Sequence, residues 1–206
     1  MRRSAVVLLG PPGCGKTTVA DQLGAMRGVR PVITGRLLRE EAAADDPRGA
    51  AIRRHLERGD LVPTETVTNV IIRELSLVTD ETLVFDGYPR NRDQLTYFLR
   101  TIEHLKFHLA SVIVLELPVR VADDRLAGRH RADDSVLTVE ERRETYEQET
   151  VPLIEELEER YPDHVHRVSA EPPVETVLRS VIEVLRQEDV AIGGENATAG
   201  KENRNG

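Results

Sequence analysis

Gly10-Pro-Pro-Gly-Cys-Gly-Lys-Thr17 follows the apolar run Ala5-Val-Val-Leu-Leu9 and opens an amphipathic stretch from Lys16 to Met26. It meets the pattern G-x-x-x-x-G-K-[ST] in full, and it does so between a predicted strand and a predicted helix, the setting in which the pattern has chemical meaning. Its glycines let the backbone curl until N–H groups point at phosphate oxygens, and the following helix adds the positive end of its dipole. The candidate ATP-binding residues of this loop are Gly10, Pro12, Gly13, Cys14, Gly15, Lys16, Thr17 and Thr18. Lys16 is expected to reach the β- and γ-phosphates and Thr17 to offer a hydroxyl to Mg²⁺. Cys14 reads as a position used through its backbone.

Outward from the loop, short apolar runs alternate with longer amphipathic ones. Ala5–Leu9, Thr82–Phe85, Ser111–Leu117 and Val165–Val168 read as strands, with Pro31–Ile33 a weaker one. Helical spacing fills Lys16–Met26, Gly35–Ala44, Pro47–Arg58, Thr64–Leu77, Arg92–His104, Val119–Leu126, Thr138–Arg160 and Pro173–Arg186. Strands apolar on both faces and separated by helices imply a parallel sheet covered on both sides. The expected fold is therefore α/β, a five-stranded parallel sheet with helices on both faces. A helix-only insertion at 35–77 interrupts the alternation. Residues 1–186 form one expected domain, and 187–206, which lack apolar periodicity, read as a flexible tail.

The 206 residues carry 36 acidic against 28 basic side chains, a net charge of −8. That balance argues against a nucleic-acid surface or an acidic membrane as partner. The basic residues are 25 Arg and three Lys, a skew that genome composition explains as readily as phosphate handling does. Four Tyr, three Phe and no Trp imply a mainly aliphatic core. One Cys excludes a disulfide framework and a Cys-based metal site. The N-terminal apolar run is too short for a signal or membrane segment, so a monomer in the cytoplasm is expected.

A phosphate loop alone does not separate kinases from GTPases, motors and transport ATPases. Three further segments narrow the field: Thr34-Gly-Arg-Leu-Leu-Arg39, Gly59-Asp-Leu-Val-Pro63, and Asp86-Gly-Tyr-Pro-Arg-Asn-Arg-Asp-Gln94. In order and spacing they resemble the adenylate kinase family of nucleoside monophosphate kinases, from about Val6 to Leu185. The resemblance implies an acceptor site in which Thr34 and Gln94 meet the base and Arg39 and Arg90 hold the phosphate. Gly35, Asp60, Leu61, Val62 and Gly87 line this site. Asp86, closing a strand, is the second candidate for orienting Mg²⁺. An acceptor that is already a phosphate suits two guanidinium forks, and its ionised oxygen needs no strong general base.

Arg125-Leu-Ala-Gly-Arg129-His-Arg131-Ala-Asp-Asp134 and Arg142 continue the resemblance. It implies that Arg125 packs on the ATP adenine, Arg129 grips donor phosphates, and Arg131 and Arg142 join Lys16 and Arg90 as the catalytic set. Arg143 is the alternative to Arg142. Only His130 separates Arg129 from Arg131, so the lid is a stub at 129–133, without the Cys cluster of a zinc lid. A second departure is Arg36, where the family commonly has an Asp that helps hold the metal's water shell; Thr17 is expected to compensate.

The implied reaction is ATP + AMP = 2 ADP. Thr34 and Gln94 match the adenine-selective pattern, whereas Asn91-Arg-Asp93 looks like the pyrimidine branch, so CMP, UMP or a modified nucleotide remains an alternative acceptor. A nucleotide-binding sensor without catalysis is the rival from another class. His104 with His108, and His164 with His166, read as surface or packing pairs, not ligands.

Overall fold

Six consecutive buried residues, Ser4–Leu9, place the first strand (β1, Arg3–Leu9) at the centre of the molecule. A computed structural model describes residues 3–76, 78, 82–127 and 136–193. The other strands are β2 (Val29–Ile33), β3 (Thr82–Asp86), β4 (Phe107–Glu116) and β5 (Val165–Ser169). All pair in parallel, in the order β2-β3-β1-β4-β5. Pro31 is accommodated because β2 is an edge strand, where a missing N–H costs least.

Alternation along the strands divides the core in two. Ala5, Val7 and Leu9 face one layer with Leu83, Phe85, Val112 and Val114; Val6 and Leu8 face the other with Val84, Ile113 and Leu115. The first layer is covered by α2 (Thr34–Ala42), α3 (Pro47–Arg58), α4 (Thr64–Leu75), α5 (Arg92–His104) and α8 (Val151–Arg160). Helices α1 (Lys16–Gly24), α6 (Val119–Ala127) and α9 (Val174–Gln187) cover the second. Three of the seven aromatics form one cluster in the first layer. Phe98 meets Phe85 edge-on at 5.0 Å and Tyr88 at 5.9 Å, the arrangement aromatic quadrupoles favour.

The expected insertion at 35–77 is the run α2, α3 and α4 between β2 and β3. Asp46 starts α3 by accepting from the Gly49 N–H at 2.7 Å, with Pro47 in the first turn and Gly59 in a left-handed conformation (φ 72°) after the last.

Three differences from the sequence reading have physical causes. Strands β1 and β4 begin earlier than hydrophobicity suggests, because Arg3 is used structurally. Its guanidinium lies 3.9 Å over the Phe107 ring and donates to the Leu105 and Val78 carbonyls, both at 3.0 Å.

The expected helix from Thr138 to Arg160 is continuous with α7 (Val136–Thr145) but contains a π-helical turn, Tyr146–Thr150, before α8. The Val151 N–H bonds to the Tyr146 carbonyl, five residues back. Pro152 follows at once; it has no N–H to give the preceding turn and its ring crowds that turn's carbonyl, so the helix widens there.

Finally, Glu188–Gly193, read as the start of a tail, are packed. Val190 is buried, the Ala191 carbonyl accepts from the Thr82 hydroxyl at 2.7 Å, and the Gly193 N–H bonds to Arg27 O at 3.2 Å. Glu188 contacts both His164 (3.2 Å) and His166 (3.1 Å), which gives this pair its packing role. No helix among the described residues is long and apolar enough to cross a membrane.

Phe98→Ala is expected to cost about 3–5 kcal/mol of unfolding free energy, and Asp46→Ala about 1 kcal/mol. Urea denaturation of each variant beside the parent checks both.

Candidate active site

The loop after β1 turns where the chain touches β4. A Cβ on Gly10 (φ 142°) would stand 2.4 Å from the Leu115 carbonyl oxygen, so no larger residue fits that turn. Beyond it the Lys16 ammonium is curled into the loop, donating to the carbonyls of Gly10 (2.7 Å) and Pro11 (2.9 Å) and to Cys14 Sγ (3.3 Å). Cys14 is buried beneath the loop. Gly10, Pro12, Gly13, Gly15, Lys16 and Thr17 line the cleft, whereas Cys14 and the exposed Thr18 are absent from its wall.

Because every strand is parallel, the loops after β1, β2 and β3 open at one edge of the sheet, where ligands of such folds bind. The register sets Leu8 beside Asp86 and Ile33 beside Asp86 on the other side. Thr17, at the start of α1, donates its hydroxyl to Asp86 Oδ2 at 2.5 Å. Two hard oxygen groups thus meet next to the lysine, a donor set suited to Mg²⁺ with water completing its shell. Arg36 is elsewhere: it forms an exposed ion pair with Asp21 at 2.9 and 3.0 Å and is not part of the cleft wall.

Thr34, Gly35, Arg39, Asp60, Leu61, Val62, Gly87, Arg90 and Gln94 all line the same cleft as the phosphate loop. Thr34 is buried, and its hydroxyl has no hydrogen-bond partner among the described residues. Arg39 leans back along α2, its Nη1 only 3.4 Å from where a Gly35 Cβ would be.

Arg90 is fixed at three points. Its N–H donates to Gln94 Oε1 (2.8 Å), its carbonyl accepts from the Thr150 hydroxyl (3.0 Å), and its Nε donates to the Gly87 carbonyl (2.9 Å). Burial lowers its pKa; Asp86 opposes that, and Arg142 and Arg39 add to it by like-charge repulsion. Asn91 caps α5, its Oδ1 accepting from the Gln94 N–H at 2.9 Å.

Arg142 of α7 lines the cleft. Arg143, the alternative, turns away to pair with Asp123 of α6. Arg125 is not on the cleft wall; its Nη2 donates to the Glu171 carbonyl at 3.1 Å. Arg129, Arg131 and the stub lid at 129–133 lie outside the described residues.

Thr145, Tyr146 and Thr150 also line the cleft; the family resemblance runs through Tyr146, Thr150 and Pro152 as its next helix but assigns them no role in the site. Tyr146 is half-buried, and its hydroxyl is pushed up to about 12, first by burial and then by Cys14. A helical period shows which residues share a face, but not that a widened turn re-aims them.

A phosphate loop, an Asp–Thr pair and three guanidinium groups lining one cleft define a P-loop phosphotransferase. Comparison with known proteins gives the family. The adenylate kinase family model matches residues 8–161. Adenylate kinase of Thermus thermophilus is 36% identical over 154 residues, 73% of this chain and 81% of the relative. The adenylate kinase of Mycolicibacterium smegmatis is 34% identical over 184 residues, 88% of this chain and 99% of the relative. The chain belongs to the adenylate kinase family.

Gly87 has φ 75°, and a Cβ there would stand 2.8 Å from Arg90 Nη2. Gly87→Ala is expected to displace Arg90 and raise the KM for the monophosphate about tenfold or more, leaving the KM for ATP within about twofold. Initial rates with each substrate varied separately test this.

Proposed function

We propose that this protein transfers the γ-phosphoryl group of ATP to AMP, forming two ADP. The observation that carries the reading is one cleft lined both by the loop around Lys16, for the donor, and by Arg39, Arg90 and Arg142, for an acceptor that is itself an anion.

A bound polyphosphate would compete with the Gly10 and Pro11 carbonyls for the Lys16 ammonium and draw it onto the β- and γ-oxygens. Arg39 and Arg90 would hold the acceptor phosphate so that one of its ionised oxygens lies in line with the γ-phosphorus. As that oxygen bonds to phosphorus, the bond from phosphorus to the β–γ bridging oxygen breaks, and its electron pair leaves with ADP. No proton has to be removed first, so the site needs positioning and charge rather than a base. Arg142, and Arg131 by family resemblance, would neutralise charge on the group in flight. Arg125, held against Glu171, and Arg129 would serve the donor nucleotide.

Thr17 and Asp86 are the residues that would hold the water shell of Mg²⁺, which, when bound with ATP, supplies charge neutralisation between the β- and γ-phosphates. Their contact supports the compensation of Thr17 for Arg36, whose side chain is committed to Asp21.

For the base, Gln94 spends its oxygen on the Arg90 N–H and so offers its NH₂ to the ligand. Adenine N1 accepts such a donor; guanine N1–H does not. The unpartnered Thr34 hydroxyl in the same cleft supports a polar base edge in this pocket. We place the protein in the cytoplasm as a monomer.

The test is a coupled assay with ATP, Mg²⁺ and each of AMP, CMP, UMP, GMP and dTMP. AMP is expected to be turned over fastest; tight ATP binding with no turnover of any acceptor would sink the proposal. Arg90→Ala is expected to lower kcat/KM for AMP by on the order of 10²–10³. Thr17→Val should raise the Mg²⁺ concentration needed for half-maximal rate severalfold. An unchanged Mg²⁺ dependence would remove Thr17 from the metal site.

A further inference from the structure

Arg90 hangs on a loop between β3 and α5, and its carbonyl is tied to a residue 60 positions away, Thr150. Thr150 is buried, lines the cleft, and closes the π-helical turn Tyr146–Thr150. A threonine inside a regular helix commonly returns its hydroxyl to a carbonyl three or four residues back, as Thr145 does with Glu141 at 2.9 Å. Thr150 does not; its hydroxyl crosses to the Arg90 carbonyl at 3.0 Å.

The π turn makes this crossing possible. One extra residue in the turn shifts the phase of α8 relative to α7, so that Arg142 on α7 and Thr150 at the head of α8 both reach the cleft. The helix bearing one cleft arginine is thereby bonded to the backbone of another.

We infer that Thr150 is a positioning residue for the acceptor phosphate: its hydroxyl fixes the height of Arg90 and couples Arg90 to the helix that carries Arg142. The inference rests on the reading of Arg90 as an acceptor-phosphate ligand. With the backbone held at both the N–H and the carbonyl, and Nε tied to Gly87, the terminal guanidinium nitrogens make no hydrogen bond among the described residues and are left for an anion.

The experiment compares the parent, Thr150→Val and Thr150→Ser in steady-state kinetics, in calorimetric titration with AMP, and in thermal melts. Thr150→Val is expected to raise the KM and Kd for AMP about five- to tenfold, the loss expected for one buried hydrogen bond. The KM for ATP should stay within about twofold, and Thr150→Ser should restore AMP binding. In an Arg90→Ala background the Val substitution should add little, since coupled residues are not additive. A role in packing alone would lower the melting temperature without this substrate split, and that result, or equal AMP affinity in parent and Thr150→Val, overturns the inference. Should Thr150→Val not fold, failure of Thr150→Ser to keep parental AMP affinity while folded overturns it equally. A parent that binds AMP without turning it over sinks the kinase reading instead, while the AMP affinities still decide Thr150. A parent that does not bind AMP overturns both.

Discussion

Three guanidinium groups share one cleft, and their mutual repulsion is the cost the rest of the structure absorbs. Arg90 is disfavoured as a cation first by burial and also by Arg142 and Arg39, with Asp86 acting in its favour. An arginine cannot shed its proton at physiological pH, so titration does not relieve this. Arg90 is pinned instead, by hydrogen bonds to Gly87 and Gln94 within its own loop and helix start and to the distant Thr150. A site preassembled against its own repulsion is ready for a polyanion without reorganisation, the condition under which electrostatic stabilisation is most effective.

The parallel sheet makes this assembly geometrically simple. Each strand delivers its following loop to the same edge, so Thr17 after β1, Thr34 after β2 and Asp86 at the end of β3 become neighbours although they are far apart in sequence. The bond from Thr17 to Asp86 joins the head of α1 to the end of β3, and it uses the two side chains best suited to a hard cation. The acidic exterior, with its net charge of −8, describes the surface and says little about this cleft.

Much of this was legible in the chain. The loop at Gly10–Thr17 announces itself because its glycines and lysine must be in those places, and the strands do so because both faces are buried. Candidate acceptor residues could be named one by one from the family resemblance, and Thr34, Arg39, Arg90 and Gln94 line one cleft. What stayed hidden was whatever depends on a partner distant in sequence. Arg3 conceals the start of β1 until Phe107 is seen beneath it. Asn91 does not announce its place as the cap of α5 until its bond to the Gln94 N–H is seen. Arg36 reads as a lost metal carboxylate, and only the ion pair with Asp21 shows where the side chain goes. The widened turn at Tyr146 adds a single residue, too little to disturb a helical period, yet it decides where Thr150 points.

The packed segment Glu188–Gly193 also has a practical consequence. It is tied to Thr82 at the start of β3 and to Arg27 just before β2, so Gly193 lies at the amino edge of the sheet, opposite the cleft. A surface tether or fluorescent label attached at Gly193 would start from the closed side of the molecule. Immobilised in that orientation, the protein would present its cleft to the solution.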